Sequence, residues 1–541
     1  MTKEGIVNKN VFIPVACILS ALFLYGVFFQ DSFATMAQNT LNWSLKSFNW
    51  LILKMTFIFN IVLLFMVFHP TFGKKIIGGP DAKPEYSVFT WISMAICSSI
   101  GIAMMFYAVA EPLGYFYNPP KYLNIAACTN DAALAGVAQS TFHWSLQYYG
   151  MQIFWGILIV YLSLNKGLPF RPSTALYPLL KDKVFGWPGI AFDVLTSVCL
   201  VCGTVTCFGL GTMQFAQGLS FVSGIHVNNM LYLIIVVVVT IVFSVSSARG
   251  VKKGMAFISD LNAYLYIALL AFLLFAGPTL NLLELVLGSI GKAFSIYIPA
   301  AFNGDFLGTN DNFAHFNTSF YFIWTLVFSP IAGMFYAKIA RGRSIRQFII
   351  VNWFVPSGFI LLWFSLWGGN SIWQSFFNHA NIMEQIKSIG VPVANFALLD
   401  YMPLRVLTIP ATLLAVLIGF ITMTDALTGV VSSLTAKDSR AEEAPICIKL
   451  FWGILIGGLT LVCLFVLDQV GTSALQSLAV SVGVPMLIVS MFVVWGSIKV
   501  IWGDVDKYLE TKAGRRDLAY VRQEADDAAE QSVIEAVNEA N

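Results

Sequence analysis

Runs of about twenty apolar residues recur along nearly the whole of this 541-residue chain. Each run is long enough for one helical crossing of a bilayer core, where the backbone must satisfy its own hydrogen bonds. The hydrophobic fraction of 57% and the charged fraction of 11% exclude an ordinary soluble domain. We therefore predict an all-α polytopic membrane protein with about twelve transmembrane helices. The predicted spans are 11–29, 50–68, 88–110, 141–164, 190–221, 229–246, 256–276, 316–337, 348–367, 406–430, 450–467 and 473–498.

Basic residues cluster in every second loop between these spans, for example at Lys74 and Lys75 or from Lys338 to Arg346. By the positive-inside rule those loops are cytoplasmic. We expect a multi-pass protein of the cell inner membrane with both termini cytoplasmic. The net charge of +2 sums over opposing regions and indicates no nucleic-acid partner. The expected partners are the lipid bilayer and a small-molecule substrate.

Two of the spans contain signals for a helix interruption. Residues 319–346 are apolar and aromatic with Ser329-Pro330 near the middle. Proline removes a backbone N–H, so we consider either a helix broken at mid-membrane, as at transporter substrate sites, or a simple kink. The third span carries a row of small residues around Gly101. That row predicts either an unwound segment with exposed carbonyls or tight helix packing.

Hydroxyl-rich segments occur in the fifth and tenth spans. Thr204 and Thr206 lie in the fifth span, and Thr422 and Thr424 lie in the tenth. Hydroxyls in an apolar helix serve either as interhelical hydrogen-bond partners or as ion ligands. The two segments occupy corresponding places if the third to seventh spans are repeated as the eighth to twelfth. Because the interrupted spans then correspond as well, the pattern predicts an inverted-repeat transporter with its site near the midplane.

The start of the fourth span carries an aromatic face. Trp144, Tyr148 and Gln152 follow one another at intervals of four residues, with Tyr149 beside them. Turned inward, these rings suit a poorly hydrated cationic group. Turned outward, they are typical of an interfacial aromatic belt.

Ionisable residues give little indication of an enzyme. We expect Glu111 to be solvated at the membrane interface, with a gating role as the alternative. We place His143 near the membrane surface, where it has no second ligand at metal spacing. The histidines are scattered, without paired acids or a nucleophile–base set, so we predict no catalytic residues. A channel would need rings of carbonyls or charges, which the two interrupted spans do not suggest.

Several short motifs follow one another in order: Gly101-x-Ala-x-x-Phe-Tyr-x-x-x-Glu111-Pro112-Leu113, Phe142-His143-Trp144, Lys166-Gly167-Leu168-Pro169, Gly209-Leu210-Gly211, and Ser329-Pro330 followed by Arg341-Gly342-Arg343. Together they resemble the betaine/choline/carnitine transporters from roughly the first span to the twelfth. The resemblance implies LeuT-type five-helix inverted repeats in the third to seventh and eighth to twelfth spans. It also implies a homotrimer. The implied substrates are small quaternary-ammonium zwitterions, which are transported by symport with sodium or protons or by exchange.

The family binds trimethylammonium in an aromatic box on the fourth and eighth spans, and this chain matches the box only in part. Tyr149 stands where a tryptophan is usual and Gln152 where a tyrosine is usual. Each lost cation–π partner costs about 0.5–2 kcal/mol for a desolvated cation. A less methylated zwitterion, such as taurine or an amino acid, is therefore the alternative substrate. The predicted substrate-binding residues are Trp144, Tyr149, Gln152, Trp324, Thr325, Phe328 and Gly101.

The resemblance also implies an ion site in the third and tenth spans. Thr422 keeps a hydroxyl there, but Met423 replaces a serine, and a thioether is a poor ligand for a hard cation. Asn262 stands where sodium-independent exchangers carry an arginine. We expect cation-coupled symport with sodium or a proton and no other cofactor; exchange and a transport-dead osmosensor are the alternatives. The weaker ion-binding candidates are Ser98, Ile100, Thr422, Thr424, Thr204 and Thr206.

These signals divide the chain into five parts. We predict an N-terminal tail with two peripheral spans over 1–87, a first repeat over 88–277, and an outer amphipathic helix and loop over 278–314. A second repeat follows over 315–502, and an acidic cytoplasmic tail over 503–541.

Overall fold

The computed structural model describes residues 7–97, 102–249, 252–304, 307, 313–437, 444–503 and 505–506. These residues form helices joined by short loops, with two isolated β-bridges and no strand among them. The prediction of an all-α protein is confirmed. The helices are α1 Lys9–Phe28, α2 Gln30–Phe68, α3 Val88–Cys97, α4 Ile102–Tyr107, α5 Ala110–Tyr117, α6 Asn130–Trp144, α7 Leu146–Val160, α8 Tyr177–Leu180, α9 Trp187–Ser223, α10 Asn229–Arg249, α11 Lys252–Ala276, α12 Thr279–Phe302, α13 Ser319–Lys338, α14 Ile345–Phe377, α15 Ile382–Ile389, α16 Ala394–Asp400, α17 Arg405–Thr435, α18 Ile446–Phe465, α19 Leu467–Val470 and α20 Ser473–Ile501.

Within the described ranges, nine helices are long and apolar enough to cross a membrane by length and composition. Eight of them coincide with predicted spans, and the ninth is α12. The other four predicted spans correspond to the split helices α3–α5 and α6–α7 and to the helices α10 and α11. The chain therefore has the architecture of a multi-pass membrane protein.

The helices pack around a central pair, α7 and α13, which belong to the fourth and eighth spans. Helix α9 packs on α17, α18 and α20, while α2 packs on α7, α13 and α20. The contacts between spans occur in pairs that the predicted repeat would relate to each other. The fourth span touches the eighth as the ninth touches the third, and the fifth touches the twelfth as the tenth touches the seventh. A repeat that relates the third to seventh spans to the eighth to twelfth predicts this pairing.

Helix α13 runs through Pro330 without a break, so of the two alternatives considered for the eighth span the helix broken at mid-membrane is wrong. Proline costs a single backbone hydrogen bond, and neighbouring helices surround this part of α13. The Ser329 hydroxyl turns back to the carbonyl of Thr325 at 2.9 Å. The fourth span does break, at Ser145 between α6 and α7, and the third span is divided between α4 and α5.

Helix α12 covers the stretch that we predicted as an outer amphipathic helix. Leu280, Leu287 and Phe294 are 69–81% exposed. Leu282 and Ser289, on the other face, are buried, and α12 packs on α2, α6 and α14. The helix is longer than predicted, and its length and composition would also allow it to cross a membrane.

A loop after α2 ties the ends of the two central helices together. The amide of Ile77 donates to the carbonyl of Arg343 at 2.9 Å, and the amide of Ile345 donates to the carbonyl of Lys75 at 3.0 Å. On its other side the loop accepts from the Asn165 side chain, which lies just beyond α7. Ser344 and Gln347 form a capping box that starts α14 at this point.

Asp506, shortly after α20, closes the same junction. Its carboxylate lies 2.9 Å from the ammonium groups of both Lys75 and Lys166, and it accepts from the Tyr161 hydroxyl at 2.9 Å. Burial alone would raise the pKa of Asp506, but these donors hold it below its ordinary value of 3.8. The rest of the predicted acidic tail, from residue 507, lies outside the described residues.

Candidate functional site

Five aromatic side chains meet beside the break in the fourth span; we call Tyr107, Trp144, Tyr148, Tyr321 and Trp324 the aromatic cluster. Trp144 stacks on Tyr107 with ring centroids 5.7 Å apart and lies 4.8 Å from Tyr321. It meets Trp324 edge to face at 6.2 Å and Tyr148 at 5.9 Å. Rings at these spacings contact one another directly. The five side chains therefore form one continuous set of ring contacts in this structure.

The break at Ser145 lets two helices contribute to one cluster. Ser145 has φ −112° and ψ −110°, which are not helical values. Its amide nevertheless donates to the Thr141 carbonyl, and its own carbonyl accepts from the Tyr149 amide, both at 2.9 Å. The chain thus changes direction while these backbone groups stay paired, as a segment buried in a membrane protein requires.

Glu111 lies directly behind the cluster with only 4% of its side chain exposed. Its Oε2 accepts from the indole nitrogen of Trp144 at 2.6 Å, and its Oε1 accepts from the Tyr115 hydroxyl at 2.7 Å. Oε1 also lies 3.0 Å from Nδ1 of His143. The expectation that Glu111 is solvated at the interface is therefore wrong, because this carboxylate is buried and held by protein donors.

The side chain of His143 is fully buried in the protein, and its placement near the membrane surface stays a prediction. Its Nε2 is 3.0 Å from the amide nitrogen of Gln139 and 3.0 Å from the hydroxyl of Thr318. Thr318 belongs to a π-helical turn that leads into α13. His143 therefore joins the third and fourth spans to the start of the eighth.

The structure brings only some of the predicted substrate-binding residues together. Trp144 and Trp324 meet in the aromatic cluster. Tyr149 is buried with its ring edge against Tyr148, 5.0 Å away, and Gln152 is buried beside Tyr148. Gly101 lies outside the described residues.

Thr325 and Phe328 lie next to the cluster on α13. The Thr325 hydroxyl donates to the Tyr321 carbonyl at 2.8 Å, within its own helix. The Phe328 ring packs on Gly203 of α9, where a Cβ would come within 2.6 Å of it. Phe328 therefore continues the face of Trp324 one turn further along α13, against a third helix.

The four described ion candidates donate their hydroxyl protons within the helices. Thr204 donates to the Leu200 carbonyl at 2.6 Å. Thr422 and Thr424 likewise donate to carbonyls one turn back, at 2.8 and 2.7 Å. Thr206 also reaches across to the Leu475 carbonyl of α20 at 2.7 Å.

These hydroxyl oxygens keep lone pairs for a hard cation, but the described residues alone do not complete a coordination shell. Ser98 and Ile100 lie outside them. In the part of the chain that the structure describes, no three His, Cys, Asp or Glu side chains are grouped to hold a metal.

A cavity of about 350 Å³ lies elsewhere, between α6, α12 and α14. Its lining includes Leu134, Glu284 and Trp373 but none of the predicted substrate or ion residues. The cavity therefore does not identify the transport site, whereas the ring chemistry of the cluster does suit a cation.

Sequence reasoning did not place Tyr107, Glu111 and Tyr321 against Trp144, where the structure has them. Helical spacing carried a signal for each: Tyr107 precedes Glu111 by four residues, and Tyr321 precedes Trp324 by three. Tyr107 and Glu111 nevertheless sit on separate helices, α4 and α5. Only the fold shows that these side chains face Trp144.

Comparison with known proteins agrees with this architecture. A glycine betaine transporter of Bacillus subtilis (strain 168) is 30% identical over 495 residues, covering 90% of this chain and 93% of that protein. A probable glycine betaine transporter of Desulfitobacterium hafniense (strain Y51) is 28% identical over 498 residues, covering 92% and 98%. A high-affinity choline transport protein of Escherichia coli (strain K12) is 29% identical over 511 residues, covering 94% and 74%.

The family model described as betaine/carnitine/choline family transporter matches residues 10–505. That range contains every described helix except the first residue of α1. With its polytopic helical fold and its buried aromatic cluster, this chain belongs to the betaine/carnitine/choline transporter family and is a secondary transporter, not an enzyme.

Proposed function

We propose that this transporter carries a small quaternary-ammonium solute, glycine betaine or choline in the first instance, across the inner membrane. The transport is cation-coupled symport by alternating access, with both termini in the cytoplasm and with three copies of the chain in the assembly. The names of the relatives support the solute class. Their bacterial sources support the inner membrane.

One observation carries the choice of solute: Tyr107 and Tyr321 add two rings to the pair formed by Trp144 and Trp324. The rings of Tyr107 and Tyr321 compensate for the aromatic residues that are missing from the family's usual box positions in this chain. Contact between a ring face and a desolvated ammonium group contributes about 2 kcal/mol or more of favourable interaction energy. The cluster therefore retains enough aromatic surface for a trimethylammonium head.

The polar side chain of Thr325, one of the predicted substrate-binding residues, does not argue strongly for a different solute. Its hydroxyl proton is bonded to the Tyr321 carbonyl within α13. Gln152 remains the one clear polar substitution near the cluster, beside Tyr148. A non-methylated zwitterion such as taurine is therefore the second candidate.

The test is counterflow of labelled solute in proteoliposomes, comparing glycine betaine, choline and taurine in wild type, Trp324→Leu and Trp155→Leu. Trp155 is the matched control, because it is fully buried on α7 but stacks on Phe192. We expect glycine betaine or choline to exchange in wild type. Removal of Trp324 is expected to weaken apparent affinity by about tenfold or more, the loss of one desolvated cation–π partner.

The affinity of Trp155→Leu, measured on folded protein, should stay near that of wild type. Exchange of taurine alone would transfer the proposal to the second candidate. Equal affinity losses in the two tryptophan variants would remove the cluster from the substrate site.

A further inference from the structure

Glu111 and His143 are an acid and a base 3.0 Å apart, with 4% and 0% of their side chains exposed. Ionisable residues inside a membrane protein are expensive to bury and mark ion or proton pathways. The pair is also connected to the eighth span, since Thr318, at the start of that span, is hydrogen-bonded to His143.

The orientation of the Gln139 side chain in this structure favours one arrangement of protons in the resting pair. The Tyr122 hydroxyl donates to Oε1 of Gln139 at 2.6 Å, which turns the amide nitrogen of Gln139 towards His143. Because an amide nitrogen only donates, Nε2 of His143 accepts from it at 3.0 Å. The ring proton is then on Nδ1 and is donated to Oε1 of Glu111.

The same surroundings provide a place for one more proton. If Nε2 of His143 is protonated, it can no longer accept from Gln139. The Thr318 hydroxyl lies 3.0 Å from that nitrogen and can accept its proton. Addition of a proton would thus remove the bond within α6 and make His143 the donor in its bond to Thr318, in the segment that leads into α13.

The substrate site is connected to this pair by one hydrogen bond. The indole of Trp144 donates to Oε2 of Glu111 at 2.6 Å while its ring lies in the aromatic cluster. A change of charge on the pair therefore acts on the residue that meets both Tyr107 and Tyr321. We infer that Glu111 and His143 form a proton-binding site that couples proton movement to the solute at the aromatic cluster.

This inference rests on the proposed function and names its coupling ion. The proton arrives from solution, binds the Glu111–His143 pair, and leaves to solution on the other side. No covalent bond other than the N–H or O–H bond of that proton forms or breaks. The threonine hydroxyls of the fifth and tenth spans are not required for this step.

The other titratable groups around the pair come from several elements. Tyr107 of α4, Tyr115 of α5 and Tyr321 of α13 face Glu111. The π-helical turn before α13 also carries His315. Further out, Glu384 of α15 faces Tyr117. Lys292 of α12 pairs with Asp131 of α6 at 2.6 Å, and the one charged residue of α14, Arg346, bonds the Val67 carbonyl.

A purely structural role for the pair makes a different prediction. In Glu111→Gln the side-chain oxygen can still accept from Trp144. Its amide can donate to Nδ1 of His143 once the ring proton moves to Nε2, where the Thr318 hydroxyl accepts it, so the junction of α5 and α6 stays hydrogen-bonded. A structural contact would tolerate this change. A proton site would not, because an amide does not titrate.

The first measurement needs no solute. Infrared difference spectra of the purified protein are recorded between about pH 5 and 8, the range in which a histidine changes charge. We expect a carboxyl or imidazole signal in wild type that is absent from Glu111→Gln and retained in Glu384→Gln, whose acid is exposed. Identical spectra for wild type and Glu111→Gln would overturn the inference.

The second measurement uses sodium-free proteoliposomes with an imposed proton gradient. We expect gradient-driven accumulation of glycine betaine by wild type. In Glu111→Gln the ratio of accumulation to counterflow should fall by about tenfold, a typical coupling between sites. Accumulation that follows sodium and ignores the proton gradient would overturn the inference. Absence of glycine betaine counterflow in wild type would instead contradict the proposed function, and the infrared comparison would still decide on the proton site.

Discussion

The fourth span, made of α6 and α7, and the eighth span, α13, touch in two unlike ways along their length. Near Trp144 and Trp324 they meet through the aromatic cluster, where ring centroids are 4.8–6.2 Å apart. Further along, Gly156 and Gly333 bring the two backbones together. A Cβ on Gly333 would lie 2.5 Å from the amide nitrogen of Gly156. We call these the ring contact and the glycine contact.

The two contacts differ in what they allow to move. Rings can separate by rotation of their side chains, whereas two backbones in contact can separate only if whole helices move. The glycine contact is also held at its end by the loop that bonds Arg343, Ile345 and Asn165. The difference suggests that a solute opens the ring contact while the glycine contact acts as the fixed point.

The change with the largest expected effect removes the fixed point. Gly333→Ala would place a methyl group 2.5 Å from the Gln152 carbonyl oxygen and the Gly156 amide, and neither is a flexible side-chain end. We expect a loss of about 3 kcal/mol or more of stability, the upper range for overpacking. Thermal unfolding in detergent and the yield of monodisperse protein measure it.

Gly358→Ala is the matched control for that change. Gly358 also lies within a helix, but nothing lies within 4 Å of the position of its added Cβ. It should be neutral or slightly stabilising, because alanine is the better helix former. A Gly333→Ala protein as stable as Gly358→Ala would show that the two central helices adjust, and the distinction between the two contacts would fail.

A smaller effect is expected at the ring contact. Trp144→Phe keeps a ring but removes the indole N–H that donates to Glu111. Hydrogen bonds to charged groups contribute about 1.5–3 kcal/mol, so solute affinity should fall by roughly tenfold or more. Stability should fall less than in Gly333→Ala.

Trp155→Phe supplies the comparison for Trp144→Phe. Its indole is buried in the same span, on α7, but the ring stacks on Phe192 at 5.8 Å, away from the cluster. Titration of solute against both variants measures the difference. If both lose affinity equally, the bond between Trp144 and Glu111 has no special part in binding.

Sequence reasoning identified the helices well but identified their interruptions poorly. Apolar runs locate the spans because the hydrophobicity of about twenty consecutive residues can be read locally from the sequence. Pro330 looked like a break, but proline costs one hydrogen bond and the packed surroundings keep α13 continuous. Ser145 is neither a proline nor a glycine, so nothing local in the sequence predicts the break there.

The site was partly predictable for the same reason. Trp144 and Trp324 were predicted from the resemblance, and the structure brings them together. Glu111 was misjudged because its partners are distant along the chain: His143 is 32 residues away. A carboxylate at the end of an apolar run looks solvated until the donors that satisfy it are known.

The smallest effect tests how the end of the glycine contact is held. Asp506 pairs with Lys75 and Lys166, but the loop also has backbone bonds to Arg343 and Ile345 that do not involve a charge. Asp506→Asn should therefore cost only about 1 kcal/mol, as for partly exposed ion pairs. The unfolding temperature in detergent, measured across pH, gives the difference from wild type.

The pH dependence of that difference has a definite sign. Burial opposes the charge of Asp506, but its donors outweigh burial and hold its pKa below the ordinary value. Its contribution is thus fully present above the unfolded-state pKa and is lost as pH falls through the folded-state pKa. The Asp506→Asn protein should be less stable than wild type at pH 7 and should approach it below about pH 4. Asp400→Asn, which breaks the exposed pair with Arg405 at 2.9 Å, should show no such crossover. If the stability of Asp506→Asn were lower than that of wild type by the same amount at every pH, the Asp506 side chain would hold the loop by shape and hydrogen bonding. The junction at the end of the glycine contact would then have no electrostatic support.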